Sequence, residues 1–318
     1  MAEFKEKLEQ VIEPYLQKYR KEFWMEREEG KKLHCMSYCL ENPKGVLVFS
    51  HGYTEYEEKC RESIYYLLKG NYSVYFMEHC GHGFSYRLVK DLSKVHVDSF
   101  ERYVDDFIFF AEKAKEENPE LPLYILGHSM GGGIAACVIT KAPKLFEKAV
   151  LSSPMIRPNT GDKPWPVAAA FTKLNCMKGC AEDYMIGGPY QGKGEIDRSC
   201  CMRDDKNLYY MDRKDEEIMY QTSGGSFGWM NAAVDMNVYL RRQAPKKIQI
   251  PVLLFQAEGE LLVSNEEQIH FIKQLRRAGL KSAKLVKVPN AKHEIYNAEE
   301  PTYKAFWRMI HKFYEQEA

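Results

Sequence analysis

The sequence predicts an α/β protein: a mostly parallel central sheet with helices on both faces, carrying a mainly helical insertion. Three observations predict this. Short strand-like apolar runs recur at residues 45–50, 72–77, 121–126, 148–152, 250–255 and 283–288, and the first of these, Gly-Val-Leu-Val-Phe-Ser, is nearly continuous in the manner of a strand buried on both faces. Helical stretches lie between them, such as residues 100–115, with apolar side chains at Phe100, Val104, Phe107, Ile108 and Ala111. Strand alternating with helix implies parallel strands joined by crossover helices. Finally, the alternation stops after Pro154 and resumes near Ile250, so residues 1–153 and 250–318 form the core and 154–249 an insertion, or cap, over the sheet.

Taken in order, residues 4–19 place Phe4, Leu8, Val11, Ile12 and Leu16 near helical spacing, and Pro14 should split or kink that helix. Residues 22–27 and 32–38 read as two strands joined by the turn Glu28-Glu29-Gly30, a hairpin. Residues 57–68 form the first helix between parallel strands. After the strand at 148–152, closed by Pro154, the insertion carries Trp165, Tyr209-Tyr210-Met211, Gly224-Gly225 and Trp229 without strand periodicity. A helix at 265–278 and an amphipathic one at 302–314 complete the core.

Composition narrows the function. The chain has 318 residues, long enough for one large domain with an insertion, and 45% hydrophobic residues, enough for a sizeable core. Lys plus Arg equals Asp plus Glu at 45 each, which gives no support for a nucleic-acid partner. No stretch approaches the ~20 apolar residues of a membrane span. Residues 1–20 are charged and lack the apolar centre of a signal peptide. Nine scattered cysteines fit free thiols in a reducing cytoplasm better than a disulfide framework. Cys35 and Cys39 flank strand-like sequence and lie far along the chain from Cys176 and Cys180, so no metal site is expected, and no cofactor.

The chemistry points to Leu126-Gly127-His128-Ser129-Met130-Gly131-Gly132. A strand-like run leads into it and a small-residue apolar run, residues 134–139, leads out. In that context G-x-S-x-G is a nucleophile elbow, with the serine on a strained turn and a helix N-terminus behind it. A serine nucleophile needs a base, and the base an orienting acid. His270 and His311 fall inside helical stretches; His293 lies just after the last strand and is the expected base. No aspartate follows the strand ending at Phe255. That loop offers Glu258 and Glu260, and position alone does not choose between them. Two backbone N–H groups should bind the oxyanion: Met130, after the nucleophile, and Tyr53, in the loop His51-Gly52-Tyr53 after the strand at 45–50. His79 and His82, in the glycine-containing loop after the strand at 72–77, read as structural loop residues.

These pieces resemble the lysophospholipase/monoacylglycerol lipase branch of the α/β-hydrolases. The resemblance rests on His51-Gly52, Gly81-His82-Gly83-Phe84-Ser85, Tyr103-Val104-Asp105-Asp106, the elbow, Ser153-Pro154-Met155, Gln256-Ala257-Glu258-Gly259-Glu260 with Val263, and Ala291-Lys292-His293-Glu294-Ile295. They follow the family's order across residues 20–315. The bacterial lysophospholipase L2 type is the most similar, since its members carry a Glu-rich loop at the acid position, and that likeness puts the acid at Glu260. Glu78, Cys80 and Leu261 stand where the family commonly has Asp, Arg and Arg, and the insertion matches least.

The resemblance implies an α/β-hydrolase fold and a serine hydrolase of carboxylic esters with Ser129, His293 and Glu260 as triad. The Met- and aromatic-containing insertion suggests a lid over an apolar pocket, hence a monoacyl lipid such as a lysophospholipid or monoacylglycerol, with transient membrane-surface contact through the cap. Two other readings stand beside it: a peptidase or amidase on the same fold, and a non-turnover receptor on a hydrolase scaffold. The sequence does not specify oligomeric state.

Overall fold

A computed structural model describes residues 2–196 and 198–316. After an N-terminal helical segment the sheet begins with a hairpin: β1 (Arg20–Glu28) and β2 (Lys31–Tyr38) pair antiparallel. Gly30, at φ +74°, makes the turn. There follow β3 (Val46–Ser50), α3 (Glu57–Lys69), β4 (Ser73–Met77), a short β5 (Lys94–Val95), α4 (Phe100–Glu117), β6 (Leu123–His128), α5 (Met130–Lys141) and β7 (Lys148–Ser152). Beyond the insertion come β10 (Val252–Gly259), α9 (Asn265–Arg277), β11 (Lys284–Lys292) and α10 (Glu300–Glu315). The eight-stranded sheet runs β1-β2-β4-β3-β6-β7-β10-β11. β2 is antiparallel to both its neighbours, and every pairing from β4 to β11 is parallel. This is the expected α/β-hydrolase architecture.

The central strands are apolar throughout because both sheet faces are covered. In β3, Val46 and Val48 point into one core, and Leu47 and Phe49 into the other. Ile125 and Leu126, and Leu254 and Phe255, divide in the same way, the two-residue period of a pleated strand. The first core is closed by α4, α5 and α9, the second by α3 and α10.

The N-terminal helix divides as Pro14 requires. α1 (Ala2–Lys7) passes into a π-helical turn, Leu8–Ile12, before α2 (Glu13–Gln17). Pro14 has no N–H, and Glu13 N–H bonds back five residues to Leu8. Phe4, Leu8, Ile12 and Leu16 remain on one buried face.

The segment between β7 and β10 carries α6 (Trp165–Met177), β8 (Tyr184–Ile186), α7 (Asp204–Glu216), β9 (Gly224–Ser226) and α8 (Phe227–Lys247). Two features differ from the sequence reading. First, β8 and β9 are strands, joined with β5 into a second, three-stranded sheet. Each has two or three residues, too few for a periodicity to register. Second, α8 buries Ala233, Met236 and Leu240 in the same core as α5, so residues 154–249 supply both elements above the sheet and one helix of the layer beneath.

Candidate active site

The site is assembled at the carboxyl ends of β6, β10 and β11. Ser129 takes φ +53° and ψ −120°, a conformation rare for any residue with a side chain. Its neighbours enforce it. Ser129 N–H donates to Ser152 at 3.0 Å, and the Ser129 carbonyl accepts from Met155, Gly132 and Gly133. A side chain at Gly131 would place its Cβ 2.2 Å from the Ser50 carbonyl oxygen, and one at Gly127 would lie 2.6 Å from that of Gly131. These two positions are glycine because β3, the elbow and α5 touch backbone to backbone.

His293 follows β11. Its Nε2 lies 2.7 Å from Ser129 Oγ, and its Nδ1 lies 2.8 and 2.9 Å from the two oxygens of Glu260. An ionised carboxylate only accepts, so Nδ1 carries the proton and Nε2 is left to accept from the serine hydroxyl. The Glu260 side chain is buried, and its Oε1 also accepts Leu262 N–H at 2.8 Å and Val263 N–H at 3.2 Å. Burial pushes this carboxyl up, but the His293 hydrogen bond and charge, with the two N–H donors, outweigh it and hold the group below the usual range. Glu258, the other carboxylate of the loop, is exposed and accepts from Asn290 N–H at 3.0 Å. The structure brings Ser129, His293 and Glu260 together and leaves Glu258 outside.

A family model described as serine aminopeptidase, S33, matches residues 41–300. The chain belongs to this family of serine hydrolases. The probable lysophospholipase L2 of Haemophilus influenzae is 29% identical over 258 residues, 79% of this chain and 77% of that one. The monoglyceride lipase of Mus musculus is 32% identical over 240 residues, 75% and 73% of the two chains. A soluble variant of the Saccharomyces cerevisiae monoglyceride lipase, solved with a substrate analog, superimposes with a TM-score of 0.76 at 16% identity, covering 93% of this chain and 95% of that one. At that identity the likeness is one of fold. The protein is an ester hydrolase.

In this serine hydrolase Met130 is the first residue of α5, where N–H groups have no partner within the helix. Tyr53 lies in the loop after β3, which runs beside β6 with Ser50 opposite Gly127. A Cβ on Gly52 would sit 3.0 Å from the His128 ring, so the loop abuts the elbow. Its shape is held by Glu55, a residue that sequence reasoning passed over. The buried Glu55 carboxylate accepts Gly52 N–H at 2.6 Å and the Tyr296 hydroxyl, and Lys59 stands 3.6 Å away. Lys59 in turn pairs with Glu294 at 2.6 Å. Glu55 and Lys59 lie in no motif, and Glu294 stands only as part of the run around His293; their pairing becomes visible only once the two loops face each other.

His79 and His82 are fully buried, as loop residues should not be if merely solvated. His79 Nε2 meets Ser50 Oγ at 2.8 Å, and His79 N–H donates to His51 Nε2 at 2.9 Å. Burial pushes both rings well below the usual histidine range, and they fasten the loop after β4 behind the site.

Proposed function

We infer that the protein hydrolyses monoacyl lipid esters through a covalent acyl-enzyme. Ser129 Oγ attacks the ester carbonyl as His293 Nε2 takes its proton, and His293 returns that proton to the leaving alcohol. Water then attacks the acyl-serine with the same histidine as base. Glu260 holds the tautomer and offsets the imidazolium charge. Met130 and Tyr53 N–H groups receive the oxyanion, where losing one donor typically costs about 10²–10³ in rate. The observation that carries this reading is the unbroken chain Ser129–His293–Glu260, at 2.7 and 2.8 Å, on the strained elbow.

An apolar ligand is supported by a cavity of about 620 Å³ within the insertion, where Val167, Phe171, Met185, Phe227 and Met230 lie beside the polar Thr160 and Lys163, a volume within the size range of small-ligand pockets. Val167, Phe171, Leu174 and Met177 form an exposed apolar stripe on α6, which supports docking of the cap on a lipid surface. The absence of disulfides among the described residues supports a cytoplasmic location.

A second reading, aminopeptidase, is favoured by the description of the family model. One assay separates them: 1-monoacylglycerols of rising chain length beside aminoacyl p-nitroanilides, with wild type and Ser129→Ala. Ester turnover should peak at a preferred length and fall about 10⁴–10⁶-fold in the variant. Preference for the anilides would replace the lipase reading, and a single burst without turnover would replace it with a receptor.

A further inference from the structure

The stretch of the insertion that leads into α7 is fastened to the loop that carries His293. Lys292 Nζ donates to the Arg198 carbonyl, and Glu294 N–H donates to the Cys200 carbonyl at 2.9 Å. His293 therefore stands between two attachments to the insertion, one on each side of it in the chain. A third comes from the first turn of α7. There Lys206, completely buried, donates from Nζ to Asn297 Oδ1 at 3.2 Å. Asn297 Nδ2 in turn donates to Glu294 Oε2 at 2.7 Å, and Lys59 Nζ to Glu294 Oε1 at 2.6 Å.

An ammonium only donates and a carboxylate only accepts, so the Asn297 amide, set between Lys206 and Glu294, has one orientation with both ends used. From Glu294 the path is a single residue to His293, whose Nε2 faces Ser129 Oγ at 2.7 Å. Through Lys59 and Glu55, 3.6 Å apart, it also reaches Gly52 N–H, which donates to Glu55 at 2.6 Å beside Tyr53 of the oxyanion loop. Lys206 has a second partner, Glu62 of α3, which also accepts from Lys7 of α1 at 2.9 Å. Glu62 ties α7 to the core, whereas Asn297 ties it to the His293 loop. A buried charge is a poor fastener, since apolar side chains of similar volume often hold a helix as well or better. What the two partners of Lys206 supply is direction: they fix where α7 stands relative to the loop beside His293.

We propose that Lys206 is a positioning residue for the hydrolysis: through Asn297 it sets the place of His293 against Ser129, so that the catalytic apparatus is complete only with α7 seated on the His293 loop. The inference rests on the ester-hydrolase reading, in which His293 takes the Ser129 proton. Lys206 touches no reacting atom; its effect passes through Asn297 and the loop. A misplacement of about 1 Å in such an arrangement can cost about 10²-fold in rate.

Kinetics separate positioning from packing. Lys206→Met keeps the unbranched side chain and leaves Glu62 paired with Lys7; Asn297→Leu leaves Lys206 paired with Glu62 and Glu294 with Lys59. Both variants, their double and wild type are assayed well below their unfolding midpoints, with p-nitrophenyl acetate and with a long-chain 1-monoacylglycerol. Each single variant should lower kcat about 10–100-fold on both esters with KM within about twofold, the pattern of an interaction realised in the transition state. The double variant should be no slower than the slower single one, because the two residues act as a unit. Losses that multiply in the double variant, a KM rise confined to the long ester with kcat kept, or unchanged kcat would each overturn the proposal. Should Lys206→Met fail to fold, Asn297→Leu decides, since the proposal requires its loss of kcat. If wild type turns over neither ester, the reaction reading fails. An alkyl fluorophosphonate then still tests Lys206: it forms a Ser129 Oγ–P bond and releases fluoride as His293 takes the serine proton. Labelling should slow in both variants as kcat was expected to, and equal labelling rates in wild type and variants would overturn the positioning role.

Discussion

Two histidine–glutamate pairs sit near opposite edges of the sheet, and they are nearly the same in local geometry. His293 Nδ1 meets Glu260 at 2.8 Å, and His34 Nδ1, on β2, meets Glu78 at 2.8 Å. Both histidines are buried. The third partner differs. His293 Nε2 faces the Ser129 hydroxyl at 2.7 Å, whereas His34 Nε2 faces a second carboxylate, Glu22, at 3.0 Å. A hydroxyl leaves the imidazole free to take a proton during reaction; a second carboxylate favours its charged form. Glu78 also accepts Glu57 N–H at 3.0 Å and Phe84 N–H at 2.7 Å, so this pair clamps the hairpin, the start of α3 and the loop after β4. Gly83 is confined by it, since a Cβ there would come within 2.1 Å of the Glu78 carboxylate. The dyad alone identifies neither chemistry nor structure; what lies on the far nitrogen decides.

The largest effect should come from breaking the active pair. Glu260→Gln keeps the size of the side chain but offers an amide in place of an obligate acceptor, and the tautomer that leaves Nε2 free is no longer enforced. We expect kcat to fall about 10³–10⁴-fold in steady-state ester hydrolysis, with the unfolding midpoint little changed. A loss under tenfold would remove Glu260 from the acid role.

Breaking the other pair should do the reverse. Burial pushes the His34 ring down, but Glu78 and Glu22 outweigh it and raise it above the ordinary histidine value. The folded state then binds the proton more tightly than the unfolded chain does. The stabilisation is complete below the unfolded value near 6.5 and disappears as pH rises through the higher folded value. His34→Gln should therefore cost about 1.5–3 kcal/mol at pH 6 by urea unfolding, with the gap to wild type narrowing towards pH 9. Turnover should stay within about threefold. A gap that widens with pH would contradict the doubly paired cation.

Much of this was legible in the chain itself. The strand–helix alternation, Ser129 with its glycines and His293 behind the last strand follow from local pattern and chain order, because each is enforced by neighbours close in sequence or by the parallel topology. His34 and Glu78 were not, since their partners lie 44 residues apart and neither sits in a recognisable spacing. Glu78 had registered only as a departure from the usual aspartate; its longer side chain is the one that meets His34 across β2 and β4. Lys206 was invisible for the same reason, a fully buried lysine on α7 held by Glu62 of α3 and Asn297 after β11. The strands β8 and β9 exist only through pairing with each other and with residues 94–95.

Glu258 and Glu260 were the harder pair to tell apart from sequence, and they give the smallest expected effect. Two residues apart, they would share a face if β10 simply continued. It does not: the pairing with β11 shifts register between Ala257 and Gly259, and the strand ends there. The shift separates the two side chains, Glu260 turning in to His293 and Glu258 out to the rim, where it accepts from Asn290 N–H. Asn290 itself adopts φ +52° beside it. An exposed hydrogen bond of this kind contributes little, so Glu258→Gln should change stability by no more than about 0.5 kcal/mol and kcat by less than about threefold. Measured beside Glu260→Gln under the same conditions, a rate loss at Glu258 larger than at Glu260 would mean that the loop turns the other way in solution and that the register shift does not choose the acid.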